Sequence, residues 1–492
     1  MLAGAVWLVY GPAIDRVFAA DQLWYFAELH GDRSLAAGLR HLDYAATRVY
    51  WKGDEALFRP LVFLWLAICN ALFAHRHEWW NIAGMAAHAA VALALYRCLL
   101  AIQRSWFALA AAVLFVVSKP TIELVLWSHL GGYLLAWMFF LIAVAAFVRV
   151  TREPEGAGAT RTTLVYTTAF ALAALGHESM VIAAALSATL LCLDARGRQT
   201  PIRPTRALAW ASPVLLFAVM YVVHLARVER PTYVDGQAGG LFGAPNVVRL
   251  LPEALVAMGR WSVEVAVPAV VEFHAEPFAR FTPTVAPLAH LPAVIANLIL
   301  SGTLVALTIR YSAAAHLARR RRLLVLLGGS VLAYVVTIAV CRPLYDIEGV
   351  VYYRYFFNLA AVLIAYAAVD FTRLTAVRAW LAAGILVPLI VLQAVMTRDT
   401  AMEVRRVNAE ASRYLDRVSA YVDGRGDSRD RGFRIEHPPE DLDPHIPLVR
   451  GYPDGPGADH TPSPRVTELL FGAYDDDAAE ADVLDGRALA RP

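Results

Sequence analysis

Trp79 to Ile102 reads WWNIAGMAAHAAVALALYRCLLAI, an apolar stretch whose single Asp, Glu, Lys or Arg residue is Arg97, close to its end. A helix needs about 20 predominantly apolar residues to cross the ~30 Å hydrocarbon core of a bilayer. This stretch is long enough, and the same pattern returns at Leu208 to Ala226 and at Ala379 to Met396. The composition agrees: 58% of the 492 residues are hydrophobic and 17% are charged, against about a quarter charged in soluble domains. A water-soluble enzyme with one greasy helix is excluded. A net charge of +2 gives no basic surface for nucleic acid, because the arginines sit between apolar blocks instead of forming one patch.

The arginines define sidedness. They gather at Arg97 and Arg104, at Arg149, Arg152 and Arg161, and at Arg196, Arg198, Arg203 and Arg206; later groups are Arg310 with Arg319 to Arg322, and Arg373 with Arg378. The positive-inside rule makes these the cytoplasmic loops of a multi-pass protein of the cell (plasma or inner) membrane. The chain must cross an even number of times between groups. That places the N-terminus inside, and Lys119 to Tyr133, Gly176 to Ser179, Arg227 to about His290, Arg342 to Arg354 and the tail from Thr397 outside. Met1 to Ile14 reads as a retained first helix, lacking a basic leader and an obvious small-residue cleavage site. Pro60 to Ala74 is apolar enough to span, but counting it would break the parity. It therefore reads as a helix lying in or dipping into the outer interface. The expected fold is all-α and polytopic, with about 11 transmembrane helices and a long first outer loop of interfacial helices. The expected division is a membrane domain, residues 1–396 with the outer loop at 15–78, and a polar C-terminal tail, 397–492. After a short amphipathic stretch that tail is rich in Pro, Gly and Asp, a composition that predicts disorder. The cysteines Cys69, Cys98, Cys192 and Cys341 lie in or beside apolar runs without metal-ligand spacing, and read as packing residues.

Phe58-Arg59-Pro60-Leu61 precedes a helix that carries Asn81, Gly84 and His88 and ends in Tyr96-Arg97. Pro120 with Glu123 and Trp127 follows, then His177-Glu178 opening a helix that ends at Asp194, then Arg354-Tyr355 opening a late span. In this order the residues resemble the GT-C superfamily, polytopic glycosyltransferases that use polyprenyl-phosphate sugars. Within it the chain looks like the protein O-mannosyltransferase-like members, including the tetratricopeptide-bearing transmembrane O-mannosyltransferases. The resemblance covers roughly residues 15 to 195 and, more weakly, 342 to 372. It has departures. Asp21 is followed by Gln22 where relatives carry paired acids, Gly84 and His177 stand where they have Asn and Lys, and Gly131-Gly132-Tyr133 replaces charged residues. No tetratricopeptide array follows the membrane part.

The resemblance implies an inverting transfer of one monosaccharide from a polyprenyl-phosphate sugar to an acceptor at the outer face of the membrane. The acceptor class stays open between a protein hydroxyl, a polysaccharide and a glycolipid. Such chemistry needs a carboxylate near the attacking hydroxyl and cations on the departing phosphate. Asp21 occupies the loop position where relatives carry the catalytic acid; the bland alternative is a cap for the helix from Gln22 to Leu29. Arg342 and Arg354 crowd into one outer loop, where a guanidinium fork would hold phosphate or would simply snorkel in an aromatic belt. His177 and Glu178 interrupt an apolar hairpin, and Glu178 would orient a substrate or a metal-bound phosphate unless the pair is a plain outer turn. Glu123 shares a helical face with Trp127, as a sugar-stacking site or as a buried tie to Arg59. His88 reads as a core histidine without a second histidine at metal spacing. No metal ligand is assigned. A divalent cation stays open as a cofactor, although one unpaired Asp makes a poor site. The rival readings are a transporter or a non-catalytic membrane scaffold; no internally repeated halves favour the transporter.

Overall fold

The computed structural model describes residues 1–16, 58–73, 76–152, 157–197, 203–227, 314–341, 351–369, 371 and 376–424, with strand segments at 272–273, 283–284, 433–436 and 482–485. The described chain is helical apart from two short strand pairs, Glu272–Phe273 with Pro283–Thr284 and Phe433–Glu436 with Asp482–Asp485. In chain order the helices are α1 (Leu2–Tyr10), α2 (Pro60–Phe73), α3 (His77–Ile102), α4 (Phe107–Val117), α5 (Ile122–Leu126) and α6 (Gly131–Arg152). There follow α7 (Ala157–Ala174), α8 (Ser179–Gly197), α9 (Pro204–Arg227), α10 (Ala314–Cys341), α11 (Val351–Ala368) and α12 (Ala376–Gly424). Among the described residues, five helical stretches are long and apolar enough to cross a membrane, and the bent pair α4 with the helix at Lys119–Leu126 makes a sixth. The protein is a polytopic α-helical membrane protein.

The helices have two distinct ends, and hydrogen bonds identify them. At one end the Arg152 guanidinium donates to the carbonyl of Ile102 at 2.6 Å, the Tyr366 hydroxyl donates to Gln103 O at 2.8 Å, and Arg322 pairs with the buried Asp194. The ends of α3, α6, α8 and α11 and the early part of α10 therefore meet there, with the arginine groups of the sequence. At the other end Leu61 N–H donates to Leu175 O at 3.0 Å, and the Trp65 indole donates to Ser128 O at 2.8 Å. Asn81 there uses both amide protons, on Ile14 O and Arg16 O at 2.8 Å each. It thus fixes the stretch just after α1, where the described chain runs to Arg16.

Helix α2 lies across that second end. Its first turn reaches the α7–α8 turn through Leu61, while its last residue, Phe73, stacks on Trp79 in the first turn of α3, centroids 6.3 Å apart. At 14 residues it is ~21 Å long, too short to span, in keeping with the interfacial reading. Its seat on α6 depends on two glycines. A Cβ at Gly131 would fall 2.2 Å from the Trp65 ring, and one at Gly132 would fall 2.4 Å from Val62 Cα. The Gly-Gly pair that replaces charged residues of the resembled family is therefore what lets α2 and α6 touch backbone to backbone.

Between α4 and α5 the chain bends by 58°. Pro120 lacks the N–H that would bond Val116 O in a continuing helix, so that carbonyl needs another donor. Tyr10 Oη supplies one at 3.0 Å and His88 Nε2 faces it at 3.3 Å. Val117 O accepts from Thr397 Oγ1 at 2.7 Å, and the Lys119 amide donates to Gln393 Oε1 at 3.0 Å. The bend is thus held by side chains from α1, α3 and α12. Helix α12 does not stop at residue 396, where the sequence divides: it continues through Thr397 to Gly424, with Ala401 and Val404 still buried.

Candidate functional site

The second end of the bundle brings together three of the polar residues singled out in the sequence, Arg59, His177 and Glu178. Arg59 immediately precedes α2 and is buried. Its Nε donates to Glu178 Oε2 at 2.8 Å and its Nη2 to Oε1 at 2.5 Å, a fork that matches both carboxylate oxygens. Its Nη1 donates to the Tyr133 hydroxyl, and its Cζ lies 5.4 Å from the centre of that ring. Burial by itself would raise the Glu178 carboxyl; the Arg59 guanidinium beside it, with His177, overrides this and holds it well below the usual carboxylate range. Residues 119 positions apart thus form one neutralised pair where α2 meets the α7–α8 turn.

His177 is buried and fixed. Its Nδ1 accepts from the Ser179 amide at 3.3 Å and lies 2.8 Å from Ser179 Oγ, so the ring caps the first turn of α8. An acceptor Nδ1 leaves the ring proton on Nε2. The ring stacks on Tyr334 at 4.6 Å and tilts against Trp137 at 5.7 Å and Tyr133 at 6.0 Å. Phe356 closes the group, 4.7 Å from Trp137 and 4.4 Å from Tyr334. Aromatic rings from α6, α10 and α11 therefore wall one side of the ion pair.

The other sequence candidates divide. Asp21 and Arg342 lie outside the described residues. Glu123 and Arg354 have described backbones, in α5 and in the first turn of α11, but their side chains lie outside the described set. Among the described residues Glu178 supplies a carboxylate to Arg59; the Glu123 side chain, offered in the sequence as a tie for Arg59, lies outside them. Glu178 was expected to orient a substrate or a metal-bound phosphate with its own charge. Each of its oxygens accepts a hydrogen bond from Arg59. Trp127, for which sugar stacking was one of two readings, is buried beside His129 with centroids 5.5 Å apart. His88 is the satisfied core histidine that the sequence suggested, bonded at both nitrogens. Tyr133, Trp137, Tyr334 and Phe356 were not singled out; one aromatic in an apolar helix looks like any other, and only the Gly-Gly-Tyr sequence drew attention to Tyr133. Among the described residues no group of three or more His, Cys, Asp or Glu side chains is placed to hold a metal ion.

Several solved structures are similar in chain course. ArnT from Cupriavidus metallidurans bound to undecaprenyl phosphate aligns over 88% of this chain and 81% of its own, at 12% identity and a TM-score of 0.48. The same protein in its apo state gives a TM-score of 0.42 at 14% identity, over 88% of this chain and 81% of its own. The Archaeoglobus fulgidus oligosaccharyltransferase, tethered to an acceptor peptide containing the NVT sequon, aligns over 87% of this chain and 57% of its own, at 12% identity and a TM-score of 0.39. No family profile matches the sequence, and no curated protein matches it.

Proposed function

We propose that this chain is a GT-C-type membrane glycosyltransferase, transferring one monosaccharide from a polyprenyl-phosphate sugar to an acceptor on the outer face of the membrane. One observation carries the reading. The two motifs of the resemblance that are furthest from any packing explanation in the sequence, Phe58-Arg59-Pro60-Leu61 and His177-Glu178, meet in a single ion-paired cluster. That cluster lies at the end of the bundle opposite the arginine groups, and the positive-inside rule makes that end the outer one. Phe356, two residues past Arg354 in α11, belongs to the same aromatic wall.

The reaction is a single displacement. The acceptor oxygen forms a bond to the anomeric carbon as the bond from that carbon to the phosphate oxygen breaks, which inverts the centre. Asp21 takes the acceptor proton, and the electron pair leaves with the polyprenyl phosphate. Arg354, with Arg342, receives the negative charge that grows on that phosphate. Arg59 and Glu178 hold α2 to the α7–α8 turn and so shape the wall, while Glu123 is the candidate that α5 carries. The donor is membrane-borne and the protein a multi-pass protein of the plasma or inner membrane, with N-terminus inside and tail outside.

The mutual neutralisation of Arg59 and Glu178 also favours a second reading, a membrane scaffold that keeps the fold without the chemistry. A donor panel separates the two. Purified protein in lipid, supplied with native membranes as acceptor source, is incubated with radiolabelled polyprenyl-phosphate sugars, and released lipid phosphate is followed. Release with one sugar and not with others identifies the enzyme and its donor; no release from any donor establishes the scaffold.

A further inference from the structure

His88 lies wholly inside the bundle between the α4–α5 bend and α11. Val116 O can only accept, so the ring proton is on Nε2, 3.3 Å from that carbonyl, and Nδ1 accepts from the Tyr355 hydroxyl at 2.7 Å. Tyr10 and Phe115 pack on the same ring, with centroids at 5.4 and 5.6 Å. The next residue of α11 turns to a different wall: Phe356 packs between Trp137 and Tyr334, the rings that hold His177. Two consecutive side chains, both fully buried, therefore fix the rotation and the height of the first turn of α11. The residue before them is Arg354.

We propose that the His88–Tyr355 hydrogen bond is a positioning device, which sets the backbone from which Arg354 reaches the phosphate of the lipid donor. The proposal rests on the glycosyltransferase reading for what Arg354 binds. His88 and Tyr355 touch no substrate. Their polar atoms are engaged with each other and with the carbonyl freed by Pro120, so whatever they do for binding they do through α11. Helix rotation matters here because a guanidinium fork binds phosphate only from a narrow set of directions.

The experiment measures the dissociation constant of undecaprenyl phosphate for full-length protein in nanodiscs, as wild type, Tyr355→Phe, His88→Phe, Arg354→Gln and the double variant Tyr355→Phe with Arg354→Gln. Thermal melting checks that each is folded. Expected are a loss of about tenfold for Tyr355→Phe and for His88→Phe, and a larger loss for Arg354→Gln, with no further loss in the double variant because the two act on one interaction. A Tyr355→Phe protein that binds like wild type while Arg354→Gln does not would overturn the positioning role and leave the glycosyltransferase reading standing. So would losses that simply add. A wild-type protein that does not bind the lipid phosphate would remove both.

Discussion

Glu178 keeps its charge where burial opposes it, and the reason is one guanidinium held at both carboxylate oxygens. Removing either partner takes the fork contact from the other, and losing one member of a fully buried pair costs about 3–5 kcal/mol, an upper bound here because Glu178 is only partly buried. Glu178→Gln and Arg59→Gln should therefore each lower the melting temperature of the purified protein by many degrees. The double variant should lose less than the sum, as coupled residues do. The acid dependence follows from the direction of the shift. The folded carboxyl lies below its unfolded value, so its stabilisation is complete above the unfolded pKa and is lost as pH falls through the folded one. The melting gap between wild type and Glu178→Gln should stay constant from about pH 8 to about pH 5 and shrink only below about pH 4. A gap that closes between about pH 6 and pH 5 would show that Arg59 does not hold the carboxyl down. The sequence flagged Glu178 as a charge in an apolar hairpin, and Arg59 as part of Phe58-Arg59-Pro60-Leu61. It did not pair them, since nothing in the order of residues says which carboxylate a fork 119 positions away will meet.

The bend between α4 and α5 and the crossing of α2 over α6 are decisions made by single residues for whole elements. Pro120 stood in the sequence only as a member of a motif; what it frees, and that Tyr10, His88 and Thr397 would converge at the bend, is a property of packing. The glycines at 131 and 132 show the same limit. In the sequence they looked like a loss of charge, whereas in the structure they are the contact surface for Trp65 and Val62. Backbone contact cannot yield as a side-chain tip can, so Gly132→Ala should destabilise by at least the ~1–3 kcal/mol typical of overpacking. Limited proteolysis should then cut first near α2, the element pushed off its seat. An unchanged melting temperature and an unchanged cleavage pattern would contradict that close approach.

At the scale of the whole molecule, apolar lengths and arginine groups made the membrane fold and its two ends legible, because the bilayer acts on composition and not on detail. The site was legible only in parts. Its charged members stand out against an apolar chain, but its aromatic walls come from helices that are apolar all round. Hydropathy collapses at Thr397 into the amphipathic stretch seen in the sequence, and the 49-residue helix α12 runs on through it, with a contour of ~73 Å, more than twice the ~30 Å hydrocarbon core. It carries its polar part past the bend, on the side of the ion-paired cluster. Sidedness itself has a direct check. In a background lacking the native cysteines, a cysteine at exposed Arg76 should react with an impermeant maleimide in intact cells, and one at exposed Arg196 only after permeabilisation. The reverse pattern would place the cluster on the cytoplasmic side.

The proposed mechanism stands or falls on whether Asp21, at the start of the first outer loop, removes the proton from the acceptor. The measurement is single-turnover release of polyprenyl phosphate from the donor that the panel identifies, by wild type and by Asp21→Asn at equal folded concentration. Loss of a general base costs about 10²–10⁴-fold. A drop of that size, with donor binding unchanged, is the expected result; equal turnover by the two proteins would contradict it.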